Sequence, residues 1–151
     1  MIKNLTFFLF FLTLTNCGFS PIYYGNQNTD FKIEITNLAG DRDMNNLIKS
    51  NLIRYSNEDK LDVIKVKIYS AYNKKSLAKD TTGKTTDYRI ETTFSFEAEI
   101  NGKLKNININ EAFDYRNIDD TIELIKYEDT VRQNIANTAV QKFISKVMRI
   151  E

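Results

Sequence analysis

Residues Tyr88 to Ile100 alternate apolar and polar over thirteen positions and run directly into Asn101-Gly102. A period of two sustained that long is the mark of a strand with one buried face. Asn-Gly is the preferred pair for a two-residue type I′ hairpin, because both central residues take positive φ. The turn therefore fixes a register. With Ile100 opposite Lys103, Phe96 faces Ile107, Phe94 faces Ile109, Ile90 faces Phe113 and Tyr88 faces Tyr115. Directly opposite residues share a side of the sheet, so these pairs gather the apolar side chains on one face and leave Arg89 with Asp114 on the other. A slip of one residue would scatter every pair. A chain with this hairpin must build a sheet, and one face of that sheet must be covered.

The remaining segments supply more strands and the cover. Phe31 to Ile35 alternates as a half-buried strand should, and Gly40-Asp41 interrupts it. Asp43 is expected to cap a helix whose apolar face is Met44, Leu47, Ile48, Leu52 and Tyr55, ending at Ser56-Asn57. Leu61 to Tyr72 predicts a second strand, with Ile64, Val66 and Ile68 on one face and Lys65 and Lys67 on the other. Asn73 to Asp87 is expected to be a polar loop. Asp120-Thr-Ile-Glu123 resembles a capping box, and Ile135, Ala136, Ala139, Val140, Phe143, Ile144 and Val147 make a helical apolar stripe. Residues 111 to 129 carry seven acids and two bases, while 130 to 151 carry four bases and one acid. Acids first and bases last suit a helix macrodipole. The order β-α-β-β-β-α predicts an α/β (α+β) two-layer sandwich, a four-stranded mostly antiparallel sheet with both helices on one face.

The first seventeen residues are of a different kind. Lys3 precedes Leu5 to Leu14, a ten-residue apolar run. A membrane-spanning helix needs about 20 apolar residues, so this run fits a signal peptide. Leu14-Thr-Asn-Cys17 follows and resembles a bacterial lipoprotein cleavage site, where the thiol is diacylated and becomes the first mature residue. Asn16 departs from that pattern, which has Gly, Ala or Ser there. The expected organisation is a lipoprotein signal peptide at 1–16, a lipidated extended tether at 17–28 and a single domain at 29–151. By analogy, Gly18 in place of Asp after the Cys implies outer-membrane sorting. Removing residues 1–16 takes away Lys3 and leaves cations and anions equal in number.

Composition narrows the chemistry. The 151 residues contain no His and one Cys, with a formal net charge of +1. An imidazole base, a His-supported triad and an internal disulfide are thereby excluded, and a nucleic-acid partner is not expected at so balanced a charge. Asp41/Asp43, Asp119/Asp120 and Glu128/Asp129 are carboxylate pairs that helix caps or exposed faces would explain. Thr82-Gly83-Lys84-Thr85 lacks the earlier Gly of a phosphate-binding loop. No enzymatic activity, metal or cofactor is expected beyond the covalent lipid on Cys17.

The lipoprotein-like start running into Cys17-Gly-Phe-Ser-Pro-Ile-Tyr, followed by this element order, resembles the LPS-assembly lipoproteins of the LptE type. The resemblance implies a non-catalytic protein anchored in the outer membrane from its periplasmic side. Such a protein sits as a plug in the LPS-assembly β-barrel, helps that barrel fold and contacts lipopolysaccharide. Cys17 is the lipid-attachment candidate. Charge and position nominate Lys74, Lys75, Lys79, Lys84 and Arg89 for lipopolysaccharide phosphates, because with Asp80 and Asp87 they give the segment a net +3. A Lys-rich segment also serves simply as a solvated, edge-protecting surface. The alternative role is an auxiliary lipoprotein or adaptor of another envelope lipid-trafficking complex.

Overall fold

A computed structural model describes residues 29–149. The signal peptide, Cys17 and the tether assigned to 1–28 lie outside the described residues. Six elements follow in the expected order: β1 (Lys32–Gly40), α1 (Arg42–Ile53), β2 (Val63–Lys79), β3 (Thr85–Ile100), β4 (Lys103–Arg116) and α2 (Thr121–Val147). The sheet order is β1-β2-β3-β4. β1 lies parallel to β2, and the other two neighbouring pairs are antiparallel.

The Asn101-Gly102 turn has φ of 50° and 70°, and the β3–β4 register runs from Ile100↔Lys103 through Phe96↔Ile107 and Ile90↔Phe113 to Tyr88↔Tyr115. This is the register that the turn dictates. Phe113 is nonetheless 39% exposed, on the outer strand of the sheet.

Three segments differ from expectation. The residues read as a polar loop, Asn73 to Asp87, are mostly strand: β2 continues to Lys79 and β3 begins at Thr85. Only Asp80 to Lys84 turns, with Asp80 Oδ1 accepting from the Thr82 and Lys84 amides. Polar side chains on both faces hid a strand that has no apolar period in its last third. Asp41, not Asp43, caps α1, its Oδ1 accepting from the Met44 amide at 2.8 Å. The helix ends at Ile53, before Ser56-Asn57.

Gly40 permits the switch from β1 to α1. Its φ is +93°, and a Cβ there would stand 1.9 Å from the Ser70 carbonyl oxygen. The next amide, Asp41, donates to that same carbonyl. The chain thus rises off the sheet and lays α1 over it.

One cluster of buried side chains joins the layers. Ile64, Val66, Ile68, Phe94, Phe96, Ile107 and Ile109 from the sheet meet Met44, Ile48 and Leu52 of α1 and the expected Ile135-to-Val147 stripe of α2. Phe96 stacks on Phe143 with centroids 4.5 Å apart. Each such fully buried side chain contributes about 1.5–3 kcal/mol of hydrophobic stabilisation. Both helices lie on this face, and the other face of the sheet is open.

Candidate functional site

The open face follows from strand alternation, since every second residue of β2, β3 and β4 must point away from the helices. Its middle rows are Tyr69–Ser95–Asn108 and Ala71–Thr93–Asn110. Asn106, Asn108 and Asn110 form an exposed amide ladder along β4. Charges occur in opposed pairs across the strands: Lys67 Nζ lies 2.7 Å from Glu97 Oε1, Lys75 Nζ lies 2.6 Å from Glu91 Oε1, and Arg89 makes two 2.6 Å hydrogen bonds to Asp114. The surface is rich in hydrogen-bonding groups and locally neutralised. Tyr69, 51% exposed, is its large aromatic.

The five cations nominated from sequence do not form one patch. Lys75 and Arg89 lie on the open face in the pairs just given. Lys84 reaches from the β2–β3 turn to Asp119, in the connection between β4 and α2, at 2.6 Å. Lys79 is exposed at the end of β2 and makes no ion pair among the described residues. Lys74 faces the opposite way, beneath α2, where its Nζ lies 2.5 Å from Glu128 Oε1. Opposite strand faces separate Lys74 from Lys75 despite their adjacency in sequence.

Around Lys74 is a polar cluster that the sequence reading missed. Tyr115 donates its hydroxyl to the same Glu128 oxygen at 2.5 Å. Lys74 Nζ sits 4.1 Å from the centroid of the Tyr88 ring, and Tyr88 stacks on Tyr115 at 5.6 Å. Arg132 lies over Tyr72 at 4.9 Å. The side chains of Lys74 and Glu128 are only 29% and 12% exposed, which corrects the reading of Glu128 as an exposed helical acid. Burial works to raise the Glu128 carboxyl, but the hydrogen bonds from Lys74 and Tyr115 outweigh it and hold the group below its ordinary value. Burial first, then the Glu128 carboxylate, pushes the Tyr115 phenol well above its usual range. Leu124, Glu128, Val131 and Ile135 are spaced by four, three and four, which was the legible sign that Glu128 faces inward.

This cluster fastens rather than reacts. Its carboxylate is committed to a cation and a phenol, and its cation is covered by aromatic rings. Recesses of about 340 Å³ and about 440 Å³ lie elsewhere, one lined by Tyr55, Gln141, Ile144 and Met148, the other by Glu34, Lys65 and Glu99. Among the described residues no group of acids and cysteines is placed to hold a metal ion. No described helix is long and apolar enough to cross a membrane.

No family model matches the chain, and no curated protein matches it in sequence. Solved structures do match. The rare lipoprotein B from Shewanella oneidensis superposes with a TM-score of 0.59 at 13% identity, over 78% of this chain and 96% of that one. A putative lipoprotein from Caulobacter crescentus superposes with a TM-score of 0.53 at 13% identity, over 75% and 86%. At such identity the likeness is one of fold. The sandwich described above is the fold of these two lipoproteins.

Proposed function

We propose that the chain is an outer-membrane lipoprotein, anchored through lipid on Cys17, that seats as a plug in the LPS-assembly β-barrel and assists delivery of lipopolysaccharide to the outer leaflet. One observation carries this reading: the sheet is covered on one side only, and its other side is a flat, polar, charge-paired surface. A domain of this size ordinarily solvates such a face. The interior of a large outer-membrane barrel, however, is itself polar, and its docking partner must satisfy hydrogen bonds rather than bury apolar area. The amide ladder of Asn106, Asn108 and Asn110 and the Ser95 and Thr93 hydroxyls offer donors and acceptors without net charge.

The fold shared with two lipoproteins supports the anchored part of the proposal, as does the Cys17-Gly-Phe-Ser-Pro-Ile-Tyr start. Lipopolysaccharide phosphates would meet Lys79 most directly, because Lys75, Lys84 and Arg89 already hold acids. Charge-assisted contact with phosphate would require those three to exchange a carboxylate partner. Lys74 is turned inward and belongs to the fastening cluster.

Purification of the tagged protein from detergent-solubilised envelopes, with its companion identified by mass, tests the proposal. A single outer-membrane β-barrel protein in one-to-one ratio is the expected companion. Recovery with an inner-membrane ATPase complex instead would establish the adaptor role and end the plug reading.

A further inference from the structure

β4 is the last strand of the sheet, and its register with β3 holds without a break from Ile100↔Lys103 to Asp87↔Arg116. Just past it, Asn117 donates its amide to the Thr86 carbonyl at 2.8 Å. Amides and carbonyls alternate sides along a strand, so the odd-numbered residues of β4 bond to β3. Leu104, Asn106, Asn108, Asn110 and Ala112 therefore aim their main-chain groups outwards, where no strand lies among the described residues. Edges are ordinarily blunted by charge, proline, a bulge or shortness. β4 is 14 residues long, and Asn106 to Asn110 carries no charge, proline or bulge. The opposite edge, β1, is 9 residues long and has an irregularity between Ile35 and Asn37.

The outer edge of β4 matches itself. Outward groups meet only outward groups, so two antiparallel copies must set even-numbered residues opposite even-numbered ones. The two-fold axis then passes through a residue, never between two. Centred on Asn108, that residue faces its own copy, Ile107 faces Ile109, Asn106 faces Asn110 and Leu104 faces Ala112. In the same register Lys105 faces Glu111, and Lys103 faces the ring of Phe113. The neighbouring choices lose this agreement: centred on Ile107, Leu104 faces Asn110 and Lys105 faces Ile109; centred on Ile109, Leu104 faces Asp114 and Ile107 faces Glu111. Glu111 already holds Lys142 through Oε1, while Lys105 makes no ion pair among the described residues. The Lys105–Glu111 contact would share that carboxylate; it follows from the register and does not set it.

We infer that two copies of the chain join along β4, antiparallel, about a two-fold axis at Asn108. The interface is isologous, each copy offering the same edge. Directly opposite residues share a side of the sheet, so one continuous sheet results, with the helices of both copies on one side and the asparagines on the other. Ile107 and Ile109 are already buried within each copy. The gain therefore comes from main-chain bonds, from amide contacts between asparagines and from cover for Leu104 and Phe113. So narrow an interface makes a weak, reversible dimer. The inference concerns the chain before any companion encloses it, and it depends neither on lipid at Cys17 nor on a barrel.

Sedimentation of the full chain purified in a nonionic detergent, over a range of protein concentrations, tests it. A reversible monomer–dimer equilibrium is expected. Asn108→Asp sets two carboxylates against each other at the axis and should weaken the dimer by about tenfold or more. Asn106→Lys with Asn110→Lys should weaken it likewise. Asn106→Lys with Asn110→Asp should keep it, because each new cation then faces a new acid of the other copy. The three positions are exposed, and far-ultraviolet circular dichroism verifies that the fold is retained. If a variant fails to fold, amide exchange of the unaltered chain decides: Asn106, Asn108 and Asn110 should slow as protein concentration rises, and Asn117 should not. A monomer at every concentration overturns the inference. So does association that the like-charge variants leave intact, which would assign it to shared micelles. Slowed exchange found only in complex with a different protein would give the edge to that protein and overturn the inference as well.

Discussion

Lys74 Nζ stands 2.5 Å from Glu128 Oε1, and this contact ties the half of β2 that runs on beyond β1 to the N-terminal half of α2. That half of the helix needs a tie. Its fully buried residues begin at Val131, and before it only Leu124 and Glu128 are even half-buried. The polar cluster thus replaces the apolar packing that secures the rest of α2.

Removing one member of the pair should cost more than removing both. Glu128→Ala leaves the Lys74 ammonium and the Tyr115 hydroxyl without their acceptor beneath the helix, and should destabilise the fold by about 1–3 kcal/mol, discounted for partial solvent screening. The double variant Lys74→Met with Glu128→Leu should recover part of that loss, because the two apolar groups leave only the Tyr115 hydroxyl without its partner. Urea unfolding of the three proteins measures the effect. A double variant no better than Glu128→Ala would mean that the ion pair is not what fastens the helix.

The same cluster sets two pH limits. The Glu128 carboxyl is held below its ordinary 4.5, so its contribution is present above that pH and disappears as pH falls through the depressed value. The Tyr115 phenol is raised above its ordinary 10.0, so its contribution is complete below pH 10.0 and is lost as pH climbs towards the raised value. Urea midpoints from about pH 3 to about pH 11 should decline at both ends. Glu128→Gln should flatten the acid limb, and Tyr115→Phe the alkaline one.

Gly40→Ala should be among the most damaging single-methyl additions in this chain. The new Cβ would meet a backbone carbonyl at 1.9 Å, and the left-handed φ of +93° disfavours any side chain. A loss of at least about 2 kcal/mol is expected. Gly83→Ala at φ +86° has open space around it and should cost less. Equal losses for the two would show that φ alone, not the approach to Ser70, governs Gly40.

The sandwich was legible because its signals were redundant. The Asn101-Gly102 turn, the alternation of Tyr88 to Ile100 and the Ile135-to-Val147 stripe each demand the same one-sided core. The far end of β2 was not legible, because Asn73 to Lys79 has polar residues on both faces and takes its strand conformation from pairing with β3. That error also displaced the candidate site. Treated as a loop, Lys74 and Lys75 were adjacent cations; in a strand, one points at Glu128 and the other at Glu91. The cap at Asp41 was missed because Asp43 has the same chemistry two residues later, and only the close approach of Gly40 to Ser70 decides between them.

Cys17→Ser should abolish fatty-acid labelling and leave an uncleaved precursor, because the serine hydroxyl is a far weaker nucleophile than a thiol towards lipid transfer. Fractionation of envelopes with radiolabelled palmitate checks both. Unchanged labelling in the variant would remove Cys17 as the anchor.

The nesting of the open sheet face against another protein can be measured at Thr93, an exposed residue in its middle. A Thr93→Cys variant, reacted with a bulky water-soluble thiol reagent, should label slowly in intact outer membranes and rapidly once the protein is purified free of companions. Equally fast labelling in both settings would mean that this face meets only water, and would contradict the plug.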